Sequence, residues 1–151
     1  MNLSPHFTLE TMRRSETASR KGLANNPGTA QTEALQALCV NVLEPLWTAL
    51  GAVVITSAFR SLLVNKAVGS GPPSQHVKGE AADLVIPGVS LDKVYNHIFK
   101  NLPFDQLIRE FPPDGWVHVS YSRAHNRGNG LLASRQAGKV VYAKLGLIGQ
   151  A

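Results

Sequence analysis

The sequence predicts an α+β fold: one domain over residues 1–151, a small and mainly antiparallel sheet with helices packed on it. Segments with apolar residues three and four apart crowd into the first part of the chain, while β-branched, alternating segments cluster afterwards. That order favours helices laid on one side of an antiparallel sheet. The length of 151 residues is close to the commonest domain size, and a hydrophobic share of 44% suits one globular core.

Taken in order, "HFTLETMRRSETASRKG" reads as a short helix with Thr8 as N-cap, followed by a polar turn through "LANNPG". "TAQTEALQALCVNVLEPLWTALG" is the strongest helix. Ala34, Leu35, Leu38, Val42, Leu46 and Leu50 make one core-facing stripe, Pro45 bends it and Gly51 stops it. "AVVITSAF" is a β-branched strand and "SLLVNKAVG" a short helix. The polar loop "SGPPSQHVKG" then leads into the strand "EAADLVI". "SLDKVYNHIFKN" is an amphipathic helix for Ser90 to cap. The strands "FDQLIRE" and "GWVHVSY" are joined by "FPPDG", and a basic, glycine-containing loop precedes a last strand, "KVVYAKL".

Charge and composition narrow the function classes. A net charge of +5 suits an anionic partner. The basic residues are dispersed, though, without the dense Lys/Arg block and interleaved aromatics of a nucleic-acid surface, so no nucleic-acid partner is expected. "MNLSPHFTLE" has no basic stretch followed by an apolar one, so the chain is expected to be made in the cytoplasm without a cleavable signal. "LEPLWTALGAVVITSAF" is interrupted by Glu44, Pro45, two threonines and a glycine, so no membrane insertion is expected. The single cysteine, Cys39, falls on an apolar helical pattern and reads as a small core residue. Monomer is the default state for so small a chain.

Two strands carry residues that suggest chemistry. In "GWVHVSY", alternation puts Val117, Val119 and Tyr121 on one face and Trp116, His118 and Ser120 on the other. In "EAADLVI", Ala81, Asp83 and Val85 share a face opposite Glu80, Ala82, Leu84 and Ile86. A carboxylate in so apolar a strand must be paired, hydrogen-bonded or bound to metal. Pairing with Arg or Lys is the ordinary solution. Two histidines and one aspartate, however, are a common three-donor set for catalytic zinc, leaving a fourth position open to water. His76 lies in the loop just before the Asp83 strand, and Gly79, Ala81 and Ala82 would allow close backbone approach.

The stretch "SQHVKGEAAD" resembles the Ser-x-His-x-x-Gly-x-Ala-x-Asp signature of the M15 peptidases, in their compact form, and "GWVHVSY" resembles that family's Trp-x-His strand. "ITSAFRS" is similar to its Ser-Gly-Tyr-Arg-Ser segment. "FDQLIRE", "NVLEPLW" and "LSPHFTLETMRRSETASRKG" extend the likeness over nearly the whole chain. The resemblance implies a fold like that of Hedgehog and the D-Ala-D-Ala peptidases. It also implies a zinc-dependent hydrolase acting on peptidoglycan stem peptides, as a D-Ala-D-Ala carboxypeptidase or an L-Ala-D-Glu or D,D-endopeptidase of endolysin type. Such an enzyme would act on the cell wall after release by a phage lysis system. The alternative is a non-catalytic phage structural or wall-binding module of the same fold.

Carried over by residue, the resemblance implies that His76, Asp83 and His118 bind one Zn2+. It implies that Arg60 binds a substrate carboxylate or the developing oxyanion, a role suited to a permanently charged, two-pronged guanidinium. Ser74 would contact substrate or support the site; its plainer reading is a turn serine after Pro72-Pro73. The general base is open. Many M15 enzymes have an acid three positions before the last histidine, where this chain has Gly115. Glu110, closing "LIRE", is preferred over Asp114, because Pro-Asp-Gly is ordinary turn chemistry. His6, His97 and His125 read as surface residues, with His125 and Arg127 placed to line a cleft and meet an anionic peptide.

Overall fold

The computed structural model describes residues 1–70 and 74–149; Pro72-Pro73, invoked for the turn before Ser74, lies outside them. The chain opens on a small hairpin, β1 (Asn2–Ser4) and β2 (Phe7–Thr8). Helix α1 (Leu9–Arg13) follows, and the Thr8 hydroxyl caps it by accepting the Thr11 amide. The single helix expected here is two, because the Ser15 side chain accepts the Ala18 amide and starts α2 (Glu16–Lys21) afresh. A serine that satisfies free amides at a new N-terminus competes well with continuing the old helix.

The long amphipathic helix is α3 (Thr29–Leu38), a π-helical turn (Cys39–Leu43) and α4 (Glu44–Leu50). Pro45 has no amide to give the carbonyl of Asn41, so the backbone widens before it and the Glu44 amide reaches back to Cys39. Gly51, at φ 110°, ends the helix. Leu35, Leu38, Cys39, Val42, Leu43 and Leu46 are fully buried.

The main sheet has the order β3-β4-β6-β5-β7-β8: β3 (Val54–Ser57), β4 (Ala81–Val85), β5 (Gln106–Glu110), β6 (Trp116–Ser120), β7 (Asn129–Gln136) and β8 (Lys139–Lys144). All neighbours are antiparallel except β5 and β7, as the expected α+β class requires. Helix α5 (Leu62–Ala67) joins β3 to the loop before β4, and α6 (Leu91–Asn101), capped by Ser90, joins β4 to β5.

Strand β7 is a correction: its segment reads as a basic loop in the sequence. "NGLLASRQ" has no clean alternation, and the turn to β8 is Ala137-Gly138 rather than the usual Asn-Gly, although both residues take positive φ (52° and 78°). One face of the sheet meets the helices. Ala82, Leu84, Val117, Val119 and Leu107 from β4, β6 and β5 pack with Leu38, Val42, Leu46, Val94, Tyr95 and Ile98. The alternate residues of those strands are therefore turned to the opposite face.

Candidate active site

Strand register assembles the site. Asp83 on β4 lies directly across from His118 on β6, which in turn lies across from Ile108 on β5. Since Leu84, Val117 and Leu107 face the helices, Asp83, His118 and Ile108 share the open face. A one-residue slip would send both donors into the core. His76 comes from the loop between α5 and β4. Its amide donates to the Ser74 hydroxyl (3.2 Å), and its carbonyl accepts the amides of Arg60 (3.1 Å) and Gly79 (3.3 Å). Gly79 is needed for that loop to seat: at φ 74°, a Cβ there would stand 2.4 Å from the Gln31 carbonyl oxygen of α3.

His76, Asp83 and His118 are 4%, 6% and 8% exposed, and one donor atom from each lies within 4.8 Å of the others. The His76 Nδ1–H donates to the Ala58 carbonyl (2.6 Å), which leaves the Nε2 lone pair directed at Asp83, 3.5 Å away. His118 Nδ1 is 3.0 Å from the other Asp83 oxygen, and its buried Nε2 has no hydrogen-bond partner among the described residues. Burial by itself pushes Asp83 up, but the two imidazoles outweigh it and hold the carboxyl below the ordinary carboxylate range. For His76, burial prevails over the attraction of Asp83 and lowers its pKa, so the ring stays neutral and able to donate a lone pair. Two imidazoles and an ionised carboxylate, packed this closely with a backbone carbonyl fixing the tautomer of His76, fit a divalent metal with nitrogen and oxygen preference.

The cleft over these donors has a volume of about 380 Å3, and Arg60, Ser74, Gln75, Gln106, Glu110 and Arg127 line it. A larger hollow of about 530 Å3 beside α1 and α2 contains none of the donors, so chemistry rather than size marks the site. Arg60 lines the cleft beside Asp83. Its guanidinium donates to Ser57 (3.2 Å), Ser70 (3.1 Å), Asn65 (3.4 Å) and Asp83 (3.4 Å), so every one of its side-chain nitrogens has a protein partner. Ser74 lines the cleft as well as holding the His76 amide.

The two candidate bases separate clearly. Glu110 ends β5 opposite Trp116 and lines the cleft. Burial, and then the charge of Asp83, raise its pKa above the usual carboxylate value despite the neighbouring Arg60. The Trp116 indole N–H is near Glu110 but completes no hydrogen bond of normal geometry among the described residues. Asp114 is exposed and does not line the cleft. Among the described residues only its carbonyl is engaged, by Arg109 Nη1 at 2.7 Å. Gly115 also has a steric cause: at φ 75°, a Cβ there would lie 1.8 Å from the Glu110 carbonyl oxygen. No side chain, acidic or otherwise, fits that position.

Sequence reasoning missed the residues that brace the site. Arg109 is 2% exposed; it donates to Asp92 and to the carbonyls of Glu110, Pro113 and Asp114, fixing the β5–β6 turn. Asp105, also buried, accepts from Arg127 and from Gln75. A charged residue beside Phe104 at the edge of an apolar run was the available signal. His6 stacks on Trp47 and bonds Glu44, while His97 and His125 also lie apart from the metal-type cluster.

Among the described residues no helix is long and apolar enough to cross a membrane. No curated protein matches the chain. A family model described as Peptidase M15 matches residues 5–120, from the opening hairpin to the end of β6, and so spans His76, Asp83, Glu110 and His118. With well over half of the chain aligned to that model, and with a buried His-Asp-His group at the centre of its open sheet face, the chain belongs to the M15 peptidases, hydrolases of peptide bonds.

Proposed function

We propose that this protein is a zinc-dependent peptidase that hydrolyses peptidoglycan stem peptides, in the manner of an endolysin acting on the cell wall. The observation that carries the reading is the convergence of His76, Asp83 and His118 beneath a cleft that Glu110 also lines. His76, Asp83 and His118 would hold the metal. Zinc bound there would supply Lewis-acid chemistry, able to polarise a carbonyl and acidify water. Glu110 takes the proton of the attacking water and delivers it to the leaving amine, the task of a carboxylate whose affinity for protons is raised. Arg60 keeps Asp83 ionised and oriented, and its positive field favours the developing oxyanion. Ser74 fixes the His76 loop at the mouth of the cleft and meets substrate there.

The rival reading, a non-catalytic structural or wall-binding module, is favoured by one feature, Gly115 where many M15 enzymes have an acid. The turn excludes any side chain at that position, and Glu110 supplies a carboxylate from the neighbouring strand end. The test is digestion of purified peptidoglycan by protein reconstituted with one equivalent of zinc, with products identified by mass spectrometry. New amino and carboxyl termini within stem peptides are expected, together with loss of both cleavage and stoichiometric zinc in Asp83→Asn. Zinc-loaded protein that releases nothing from peptidoglycan or D-Ala-D-Ala peptides refutes the enzyme reading.

A further inference from the structure

Two arginines reach the cleft, and they are engaged very differently. Arg60 has a protein partner on every side-chain nitrogen. Arg127, with a half-exposed side chain, is held along one edge only. Its Nε and Nη2 grip the two oxygens of Asp105 at 2.9 and 2.8 Å, and its backbone amide donates to the same carboxylate at 2.9 Å. Among the described residues its Nη1 donates to nothing. Asp105 is itself fixed, since it is 4% exposed and also accepts from Gln75, the residue next to His76 (3.0 Å). The guanidinium is thus oriented in advance, with one donor edge anchored and the other free.

Its position matters as much as its orientation. Arg127 and Gln75 line both the metal-side cleft and a second hollow of about 450 Å3 that includes Lys78, Ser122 and His125. Arg127 therefore stands on the boundary of the two hollows, so a peptide that occupies both must run past it. An interior carboxylate, on a residue whose chain goes on beyond it, matches that geometry better than a terminal one. In stem peptides the α-carboxylate of a γ-linked D-glutamate has this character, and amidation converts it to an uncharged carboxamide.

We propose that Arg127, clamped by Asp105, is a specificity-determining residue that binds an interior carboxylate of the stem peptide and discriminates against its amidated form. The proposal rests on the peptidase reading for its substrate class, but its test does not require cleavage. Zinc-loaded protein in a Glu110→Gln background is titrated calorimetrically with L-Ala-D-Glu-L-Lys-D-Ala, γ-linked at the glutamate, and with its D-isoglutamine counterpart. A charge-assisted bond to the carboxylate predicts tighter binding of the acid form by about 10- to 100-fold.

Arg127→Gln is expected to bring that ratio close to one by weakening the acid peptide alone. Asp105→Asn, which frees the guanidinium from its clamp, should reduce the ratio only partly. Equal binding of the two peptides to protein with Arg127 intact overturns the proposal. So does a preference that survives Arg127→Gln, or a loss in that variant that weakens both peptides alike. If zinc-loaded wild-type protein releases nothing from peptidoglycan or D-Ala-D-Ala peptides but the ratio behaves as expected, the peptidase reading fails and the carboxylate site stands.

Discussion

Replacing Glu110 with glutamine removes one charge and almost no volume, and it separates chemistry from architecture. Glu110 lies partly buried at the end of β5, close enough to Asp83 and Arg60 for both charges to act on it. Its backbone carbonyl is held by Arg109 at 3.1 Å, so strand and turn survive the change. A positioned general base contributes about 10²- to 10⁴-fold, equivalent to about 3–5 kcal/mol of barrier. The variant should lose turnover in that range on a defined stem peptide, followed by chromatographic separation of products. Bound zinc should remain near one equivalent, since the three donors are untouched. The melting temperature should move by less than about 4 °C, the shift that 1 kcal/mol produces in a domain of this size. Asp114→Asn serves as the counterpart: its carboxylate is exposed and away from the cleft, so activity should change by less than about twofold, as expected of a surface substitution. A Glu110→Gln protein that keeps nearly full activity, or an Asp114→Asn protein that loses it, would refute the assignment.

Restoring an acid three positions before His118 should harm rather than help. Gly115→Asp forces a Cβ against the Glu110 carbonyl at positive φ and should destabilise the fold by about 2–4 kcal/mol; an unchanged urea midpoint would contradict the steric account. Acid sensitivity should trace partly to Asp105, whose pKa Arg127 lowers to about 2. Because the folded value is depressed, its stabilisation is complete above about pH 4 and disappears as the pH falls towards 2. The contribution is about 2 kcal/mol at most, since Arg127 is half exposed to screening solvent. In metal-free protein the stability gap between wild type and Asp105→Asn should therefore narrow between pH 4 and 2; a gap independent of pH would exclude this linkage.

Local chemistry wrote much of this molecule into the chain. Periodicity located the buried stripe from Ala34 to Leu46, because a helix returns a side chain to the same face every three to four residues. Alternation in "EAADLVI" and "GWVHVSY" put Asp83 and His118 opposite the core residues of their strands, since a strand permits only two faces. The caps Thr8 and Ser90 were readable from one residue each. Strand β7 was not, because its place beside β5 depends on a parallel, long-range pairing that leaves no local pattern. Register was likewise invisible: only pairing of distant strands sets Asp83 across from His118 and brings Glu110, rather than Asp114, to the cleft. The same holds for Arg60 and Arg127. As sequence both read only as cations that could meet an anionic peptide; in the fold one is engaged on every nitrogen and, among the described residues, the other keeps a free edge. A hydrogen bond is decided by positions fixed to a fraction of an ångström, and residues far apart in sequence acquire such positions only when the sheet and its loops close.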